Sequence, residues 1–388
     1  MTDGTVHGAI RQTGARAGMI PAGARIGALL LGIACTAPGF AADSVDHGAR
    51  PSGNVQVIGR FAQAEPSGIV ALPDGRVVIS FPTSAAKHPG PVLATYAHGA
   101  LAPFPNAAAQ SGMRSPLGMT VDARGRLWMI DEGMVAGQTD PAQPVLFGID
   151  PKTNAIFARI ALTAPAIRPD THVNDVRVDL THGAQGTAFI TDTSLADHSA
   201  LLAVDLATGH AWRMLDGAPS VSADPGFAIE MDGQMHQYRP GHQTTATGGA
   251  DGIALSADSR TLYWSALSSR RLYSLPTALA ADPKATPEQL AHAVTDCGEI
   301  GVADGIITAP DGSLFMTDVE RHGVLKRDPD GTLHMVAHDP RFIWPDSLAL
   351  DGTSLLLTVG QWSRLPAFHD GHDLQERPYL VVKIAPLP

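Results

Sequence analysis

One pattern recurs six times along this chain, and it limits the fold more than any other property of the sequence. Each copy opens at a small slot, usually polar, followed by Gly or another small residue. An apolar run comes next, then a turn containing Asp or Gly, then a second apolar run. The first copy is Pro66-Ser67-Gly68-Ile69-Val70, the turn Pro73-Asp74-Gly75, and Val77-Val78-Ile79-Ser80. The second runs from Pro116-Leu117-Gly118-Met119 to Leu127-Trp128-Met129-Ile130, and the third from Val173-Asn174-Asp175-Val176 to Ala188-Phe189-Ile190-Thr191-Asp192. The fourth runs from Ala250-Asp251-Gly252-Ile253 to Leu262-Tyr263-Trp264-Ser265, the fifth from Ala303-Asp304-Gly305-Ile306 to Leu314-Phe315-Met316-Thr317-Asp318, and the sixth from Pro345-Asp346-Ser347-Leu348 to Leu355-Leu356-Leu357-Thr358.

Each copy reads as a hairpin, with Asp74-Gly75 and Asp311-Gly312 as the strongest turn signals. Further apolar runs, such as 145–150 and 201–205, extend the copies to four strands. The slots repeat at roughly 40 to 80 residues, which fits propeller blades with insertions between the second and third and between the third and fourth. The 40 Gly and 30 Pro, spread between short apolar runs, support an all-β reading. The expected fold is a six-bladed β-propeller over residues 43–388. Its ring is closed by the runs 54–61 and 379–384 from opposite ends of the chain. With 44% apolar but only 5% aromatic residues, aliphatic side chains must fill most of the core.

The formal charge is −11 and no Lys/Arg run stands out, which excludes a nucleic-acid-binding surface. Arg11, Arg16 and Arg25 precede the apolar stretch 26–34, and small residues follow to Ala41-Ala42. This matches a secretory signal over residues 1–42, and hence a secreted or periplasmic protein with no membrane attachment after cleavage. A retained anchor, or lipidation at Cys35, is the rival reading. The mature chain keeps one cysteine, Cys297, so packing rather than a disulfide must stabilise it.

In a propeller, equivalent positions of successive blades lie on a circle around the axis. The slots are Ser67, Leu117, Asn174, Asp251, Asp304 and Asp346, so four Asn or Asp side chains would meet at one mouth. Clustered carboxylates repel unless a cation sits among them, and oxygen ligands suit Ca²⁺ or Mg²⁺. His172 lies two residues before Asn174, on the same strand face, where it could bind substrate or act as a base. His236 and His242, and His369 and His372, lie in loop-like segments without compact zinc spacing. Trp264, Trp344 and Trp362 are candidate walls for a small ligand. No phosphate-binding Gly loop and no GxSxG elbow is present.

The segments Ser115-Pro-Leu-Gly-Met to Leu127-Trp128, His172-Val-Asn-Asp-Val to Thr191-Asp192, Ala250-Asp-Gly-Ile-Ala-Leu-Ser to Leu262-Tyr-Trp, Ser268-Ser-Arg-Arg-Leu-Tyr and Trp344-Pro-Asp-Ser resemble the yellow and major royal jelly protein family. That family is similar in turn to the gluconolactonase and regucalcin propellers. The resemblance implies a six-bladed propeller. The lactonases hold a divalent cation with a Glu, two Asn and an Asp that also activates water. By motif Asn174 matches the first Asn, Asp251 stands at the second, and Asp304 matches the catalytic Asp. His172 stands where those enzymes present an Arg. The Glu slot is Ser67 here, so Glu65 or Asp346 would supply the remaining ligand. The resemblance implies a lactone- or sugar-ester-opening hydrolase using a divalent cation, with Ca²⁺ foremost. A non-catalytic binder of a small amine, sterol or aromatic ligand, or a dopachrome-type isomerase, are the alternatives.

Overall fold

A computed structural model describes residues 52–194, 196, 198–231, 233–238, 248–385 and 387. The signal segment 1–42, its boundary, Cys35 and His242 lie outside them. The described residues form six four-stranded antiparallel sheets and one two-stranded hairpin. Blade 1 comprises Ile69–Ala71, Val77–Ser80, Leu93–Ala97 and Ala100–Pro103. Blade 2 comprises Pro116–Val121, Leu127–Asp131, Val145–Asp150 and Ala155–Ala161, and blade 3 Val173–Asp179, Thr187–Asp192, Ala200–Asp205 and Ala211–Met214. Blade 4 comprises Ala250–Leu255, Thr261–Ala266, Arg271–Pro276 and Thr295–Glu299, with the short helix Pro287–Ala293 before its last strand. Blade 5 comprises Ile306–Thr308, Leu314–Asp318, Gly323–Arg327 and Leu333–His338. Blade 6 takes Trp344–Asp351, Ser354–Gly360 and Tyr379–Ile384 from the end of the chain and Val55–Phe61 from its beginning. The closing pair runs antiparallel from Val55↔Ile384 to Phe61↔Tyr379, so the two ends lock the ring as the sequence pattern requires.

The extra length falls partly where the step lengths place it. Between blades 3 and 4 the chain inserts the hairpin Ala228–Met231/Gln234–Gln237. Between the second and third slots it adds no new strand. That length goes into the loop 132–144 inside blade 2 and the connector 162–172. A long loop within a blade and an insertion between blades give the same spacing, so periodicity alone does not separate them.

Burial follows the ring. A separate apolar cluster fills each of the six interfaces between adjacent blades: 1–2, 2–3, 3–4, 4–5, 5–6 and 6–1. The aliphatic residues on alternate strand faces supply most of these clusters, so each blade is buried on both sides. No helix among the described residues is long and apolar enough to cross a membrane.

At the axis the inner strands meet by backbone rather than by side chain. A Cβ on Gly68 would lie 2.3 Å from the Leu117 carbonyl oxygen, on Gly118 2.6 Å from that of Asn174, on Gly252 2.4 Å from that of Asp304, and on Gly305 2.3 Å from that of Asp346. Each glycine after a slot therefore seats the slot residue of the next blade. Hydroxyls on the second strands tie the same junctions. Ser80 Oγ donates to Leu117 O at 2.7 Å, and Thr358 Oγ1 to Ser67 O at 2.6 Å. The slots of blades 2, 3, 4 and 6 sit at strand irregularities where two residues oppose one. Hydroxyls satisfy the freed amides there, as in Asp175 N to Thr191 Oγ1 and Ser347 N to Thr358 Oγ1, both 3.0 Å.

This packing predicts that Gly305→Ala lowers stability by about 1–3 kcal/mol through overpacking against blade 6. Gly112→Ala, whose added Cβ would meet nothing closer than 3.7 Å, stays within about 0.5 kcal/mol of the parent. Denaturant titration of both variants checks this; equal stabilities would remove the close-approach argument.

Candidate functional site

The seating of slots against neighbouring blades carries Asn174, Asp251, Asp304 and Asp346 to the same end of the six inner strands. Asp251 is 2% exposed, and the other three are half-buried. Asp346 accepts from Ser347 Oγ at 2.9 Å. Asp304 Oδ2 accepts from Trp344 Nε1 at 2.5 Å. Asp251 Oδ1 is sealed from solvent and has no hydrogen-bond partner, a costly state for a carboxylate oxygen.

Two further residues join this group. The irregularity at Asn174 also turns Asp175 toward the axis, where its charge acts on Asp251, Asp304 and Asp346. Arg177 crosses the channel from blade 3 to blade 5, donating to Ile306 O at 2.6 Å and lying 3.6 Å from Asp175. It is a buried cation beneath a ring of carboxylates. The sequence reading overlooked both. The Asn-Asp doublet and an Arg two residues later were their only signal.

Burial is the first cause of the electrostatics here. It pushes Asp251 well above the usual carboxylate range, reinforced by the charges of Asp175 and Asp346. It does the same to Asp304, reinforced by Asp346 and Asp251 and relieved by the Trp344 bond. It raises Asp346 to about 7. Glu65 is also raised to about 7 by burial, against the opposing hydrogen bond from the Gln361 amide.

Glu65 is committed elsewhere. Its Oε1 accepts from Gln361 N at 2.5 Å and its Oε2 from Gln375 Nε2 at 3.1 Å, so it anchors the blade 6 loop. Both Glu65 oxygens already have donors, so the metal-ligand role expected for Glu65 would have to be shared with these bonds. Among the described residues no three His, Cys, Asp or Glu side chains converge closely enough to grip a metal ion. The donor chemistry nonetheless fits a hard cation: oxygen atoms only, one of them orphaned at Asp251.

His172 stands apart from the axial carboxylates; its charged neighbours are Glu132 and Asp192. Its Nε2 lies 2.8 Å from Glu132 Oε2, and its backbone amide donates to Asp192 Oδ1 at 2.9 Å. Burial pulls the His172 pKa down, but the hydrogen bond and charge of Glu132 and the charge of Asp192 leave it raised. Glu132 also escaped the sequence reading. It follows Asp131 at the end of a second strand, the place held by Asp192 and Asp318 in blades 3 and 5, so aligning the repeats would have drawn attention to it.

The three tryptophans separate. Trp264 is fully buried between blades 3 and 4, with Nε1 donating to Ser220 O at 2.7 Å. It is a core side chain, and the expectation that it walls the channel is corrected. Trp344 and Trp362 belong instead to a seventh apolar cluster with Phe227, Ile229 and Met231 of the inserted segment and Leu267, Val302 and Val319. These last three flank the slot ends of blades 4 and 5, so the insertion roofs part of the mouth. The rings of His236 on the insertion and His369 on the blade 6 loop meet at 6.4 Å, nearly perpendicular.

The raised carboxyls fix a pH dependence. The folded chain holds protons that the unfolded chain releases near pH 4, so folding carries no penalty below that pH. The penalty grows as pH rises toward about 7 and is constant above it. Each such carboxyl contributes a slope of about 1.4 kcal/mol per pH unit. Chelator-treated protein should therefore lose stability between about pH 5 and 7.5 in denaturant titrations. A flat or rising profile would contradict the buried-carboxylate description.

Comparisons with known proteins agree with this architecture. The family model for major royal jelly protein matches residues 114–370. Among solved structures, a gluconolactonase from Xanthomonas campestris is 16% identical with a TM-score of 0.52, covering 87% of this chain and 90% of its own. A luciferin-regenerating enzyme is 10% identical with a TM-score of 0.49, covering 86% and 95%. A calcium-binding regucalcin from Agrobacterium tumefaciens is 15% identical with a TM-score of 0.40, covering 70% and 90%. No match was found among curated proteins. At 16% identity the likeness to the gluconolactonase shows the fold alone. With its six-bladed ring and a family match over most of its length, the chain belongs to the major royal jelly protein family.

Proposed function

We propose that the axial mouth is a divalent-cation-dependent hydrolytic site that opens a lactone or a sugar-derived ester. The observation carrying this reading is the buried oxygen cluster itself, and above all the unpartnered Asp251 Oδ1. Four acidic side chains, Asp175, Asp251, Asp304 and Asp346, act on one another at the mouth, and of these only Asp175 is paired with the buried Arg177, which otherwise donates to backbone carbonyls. Burying charge without compensation is expensive, so such a cluster favours a bound cation. Asn174, Asp251, Asp304 and Asp346 would hold it, with Ca²⁺ favoured and Mg²⁺ the alternative. When bound, a divalent cation supplies charge stabilisation at a carbonyl oxygen. The shared fold with a gluconolactonase supports the same substrate class.

The chain's own residues divide the remaining work. Trp344 orients Asp304 through its indole N–H. Arg177 blocks the channel below the carboxylates, so substrate enters from the slot end. The apolar group around Trp344 and Trp362 limits water on the side of blades 4 to 6. The basic and apolar N-terminal segment supports export, and with it a site that works in the periplasm or outside the cell.

A second reading has its own support. Trp344 meets the Asp304 carboxylate edge-on through its indole N–H and shares an apolar cluster with the half-buried Trp362, a combination of carboxylate and aromatic side chains suited to holding a small organic amine without turnover. No residue here favours a dopachrome-type isomerase.

One experiment separates the two. Protein stripped with chelator is returned to Ca²⁺ or Mg²⁺ and assayed against a panel of lactones. Ca²⁺ at about 100 times its Kd should add about 2.7 kcal/mol of stability and restore hydrolysis, while Asp251→Asn should weaken both effects. Undiminished turnover in excess chelator would refute the cation-dependent site. Cation binding with no hydrolysis of any lactone would favour the binding protein.

A further inference from the structure

We infer that Arg177 is a positioning residue of the axial mouth, whose guanidinium ties blade 3 to blade 5 and so holds the three slots it spans, Asn174, Asp251 and Asp304, at a fixed spacing. The inference deepens, and rests on, the cation-site reading above. Its basis is an exception in the ring. In blades 1, 2, 4 and 5 the residue after the slot is a glycine, and the backbone of the next blade fills the place of its missing side chain. Blade 6 has Ser347 there, and Thr358 Oγ1 bonds Ser67 O across that junction. Blade 3 has Asp175 there, so the junction of blades 3 and 4 also lacks the glycine contact. It carries the bond from Thr193 Oγ1 to Ala250 O at 3.0 Å, and Arg177 reaches past it to the blade beyond.

The two ends of the link lie at matching places. Arg177 Nη1 donates to Val176 O at 2.7 Å, two residues past Asn174, which anchors the guanidinium on its own strand. Nη2 donates to Ile306 O at 2.6 Å, two residues past Asp304. Asp175 lies 3.6 Å from the same nitrogen, and the Arg177 side chain keeps only 13% of its surface. Blade 4 is held inside this span. A Cβ on Gly252, next to Asp251, would lie 2.4 Å from Asp304 O and 2.8 Å from the Ile306 side chain. The strand that Arg177 grips is therefore the one against which the Asp251 slot is seated.

Two N–H groups on one planar head make a rigid link that a lysine ammonium on its flexible stem does not copy. With the three backbones held, side-chain rotation is what remains for Asn174, Asp251 and Asp304 on taking up an ion. A site ordered beforehand loses less freedom on binding. Through charge alone Arg177 would act in the opposite sense, since one cation repels another. The two roles therefore differ in sign.

The test uses that difference. Full-length protein stripped with chelator, and its Arg177→Lys and Arg177→Met variants, are titrated with Ca²⁺ by calorimetry, with circular dichroism to confirm folding. Positioning predicts that both variants bind Ca²⁺ about 10- to 100-fold more weakly. Unchanged affinity in Arg177→Lys, or tighter binding in Arg177→Met, overturns it. Amide hydrogen exchange reads the same link without a cation. The amides of Asp175 and Asp304, which donate to Thr191 Oγ1 and Thr317 Oγ1, should exchange on the order of 10-fold faster in Arg177→Lys, and unchanged exchange there also overturns the inference. If neither variant folds, the wild-type spectrum decides: hindered rotation should resolve the Arg177 Nη protons from one another, and a single averaged signal counts against the link. A wild type that takes up neither Ca²⁺ nor Mg²⁺ refutes the cation site, while exchange and the guanidinium signals still decide whether Arg177 holds the slots.

Discussion

The close approach of neighbouring backbones around the axis governs this molecule. A blade's inner strand comes so near the next that the residue after the slot has no room for a side chain at Gly68, Gly118, Gly252 and Gly305. That contact fixes the register between blades, and hydroxyls such as Ser80 and Thr358 lock it by reaching the neighbouring carbonyl. Because each slot residue is seated by its neighbour, the slots cannot spread apart. Carboxylates at successive slots are therefore forced into mutual range, and their raised proton affinity follows from that geometry together with burial.

The same constraint separates stability from function. Six inter-blade clusters hold the ring together, and no disulfide joins the blades. At the slot end the apolar surplus gives way to buried polar groups that gain little from burial and cost much when unpaired. The chain answers that cost unevenly. Glu65, Asp131 and Asp192 are satisfied by backbone amides and serve as loop anchors. Asp251 is left with an orphaned oxygen. Polar groups that the fold satisfies internally are scaffold, and the open carboxylate oxygen of Asp251, set among other carboxyls at the slot end, marks where a ligand would be welcome.

Legibility in the sequence followed the range of the interactions. The six hairpins were readable because alternation and turn chemistry are local, and ring closure was readable because both closing strands are apolar runs near the chain ends. The slots were readable because a repeat reports its own symmetry. Asp175 and Arg177 were not, since a two-against-one strand irregularity decides which side chains reach the axis. Glu132 was hidden because its significance lies in a contact with a residue forty positions later on another blade. Trp264 and Trp344 are equivalent by composition, yet one fills an interface and the other bonds a slot carboxylate.

By itself the sequence determined the number of blades, the hairpin within each, and which side chains stand at the slot of each repeat, because strand alternation and turn propensity act over a few residues. Tertiary structure alone decided that Arg177 reaches from blade 3 to blade 5, that Glu65 anchors a loop, that an insertion roofs the mouth, and that Glu132 grips His172. These outcomes depend on distances between blades. Such distances are set by the packing of six separate interfaces, a quantity no short stretch of chain contains.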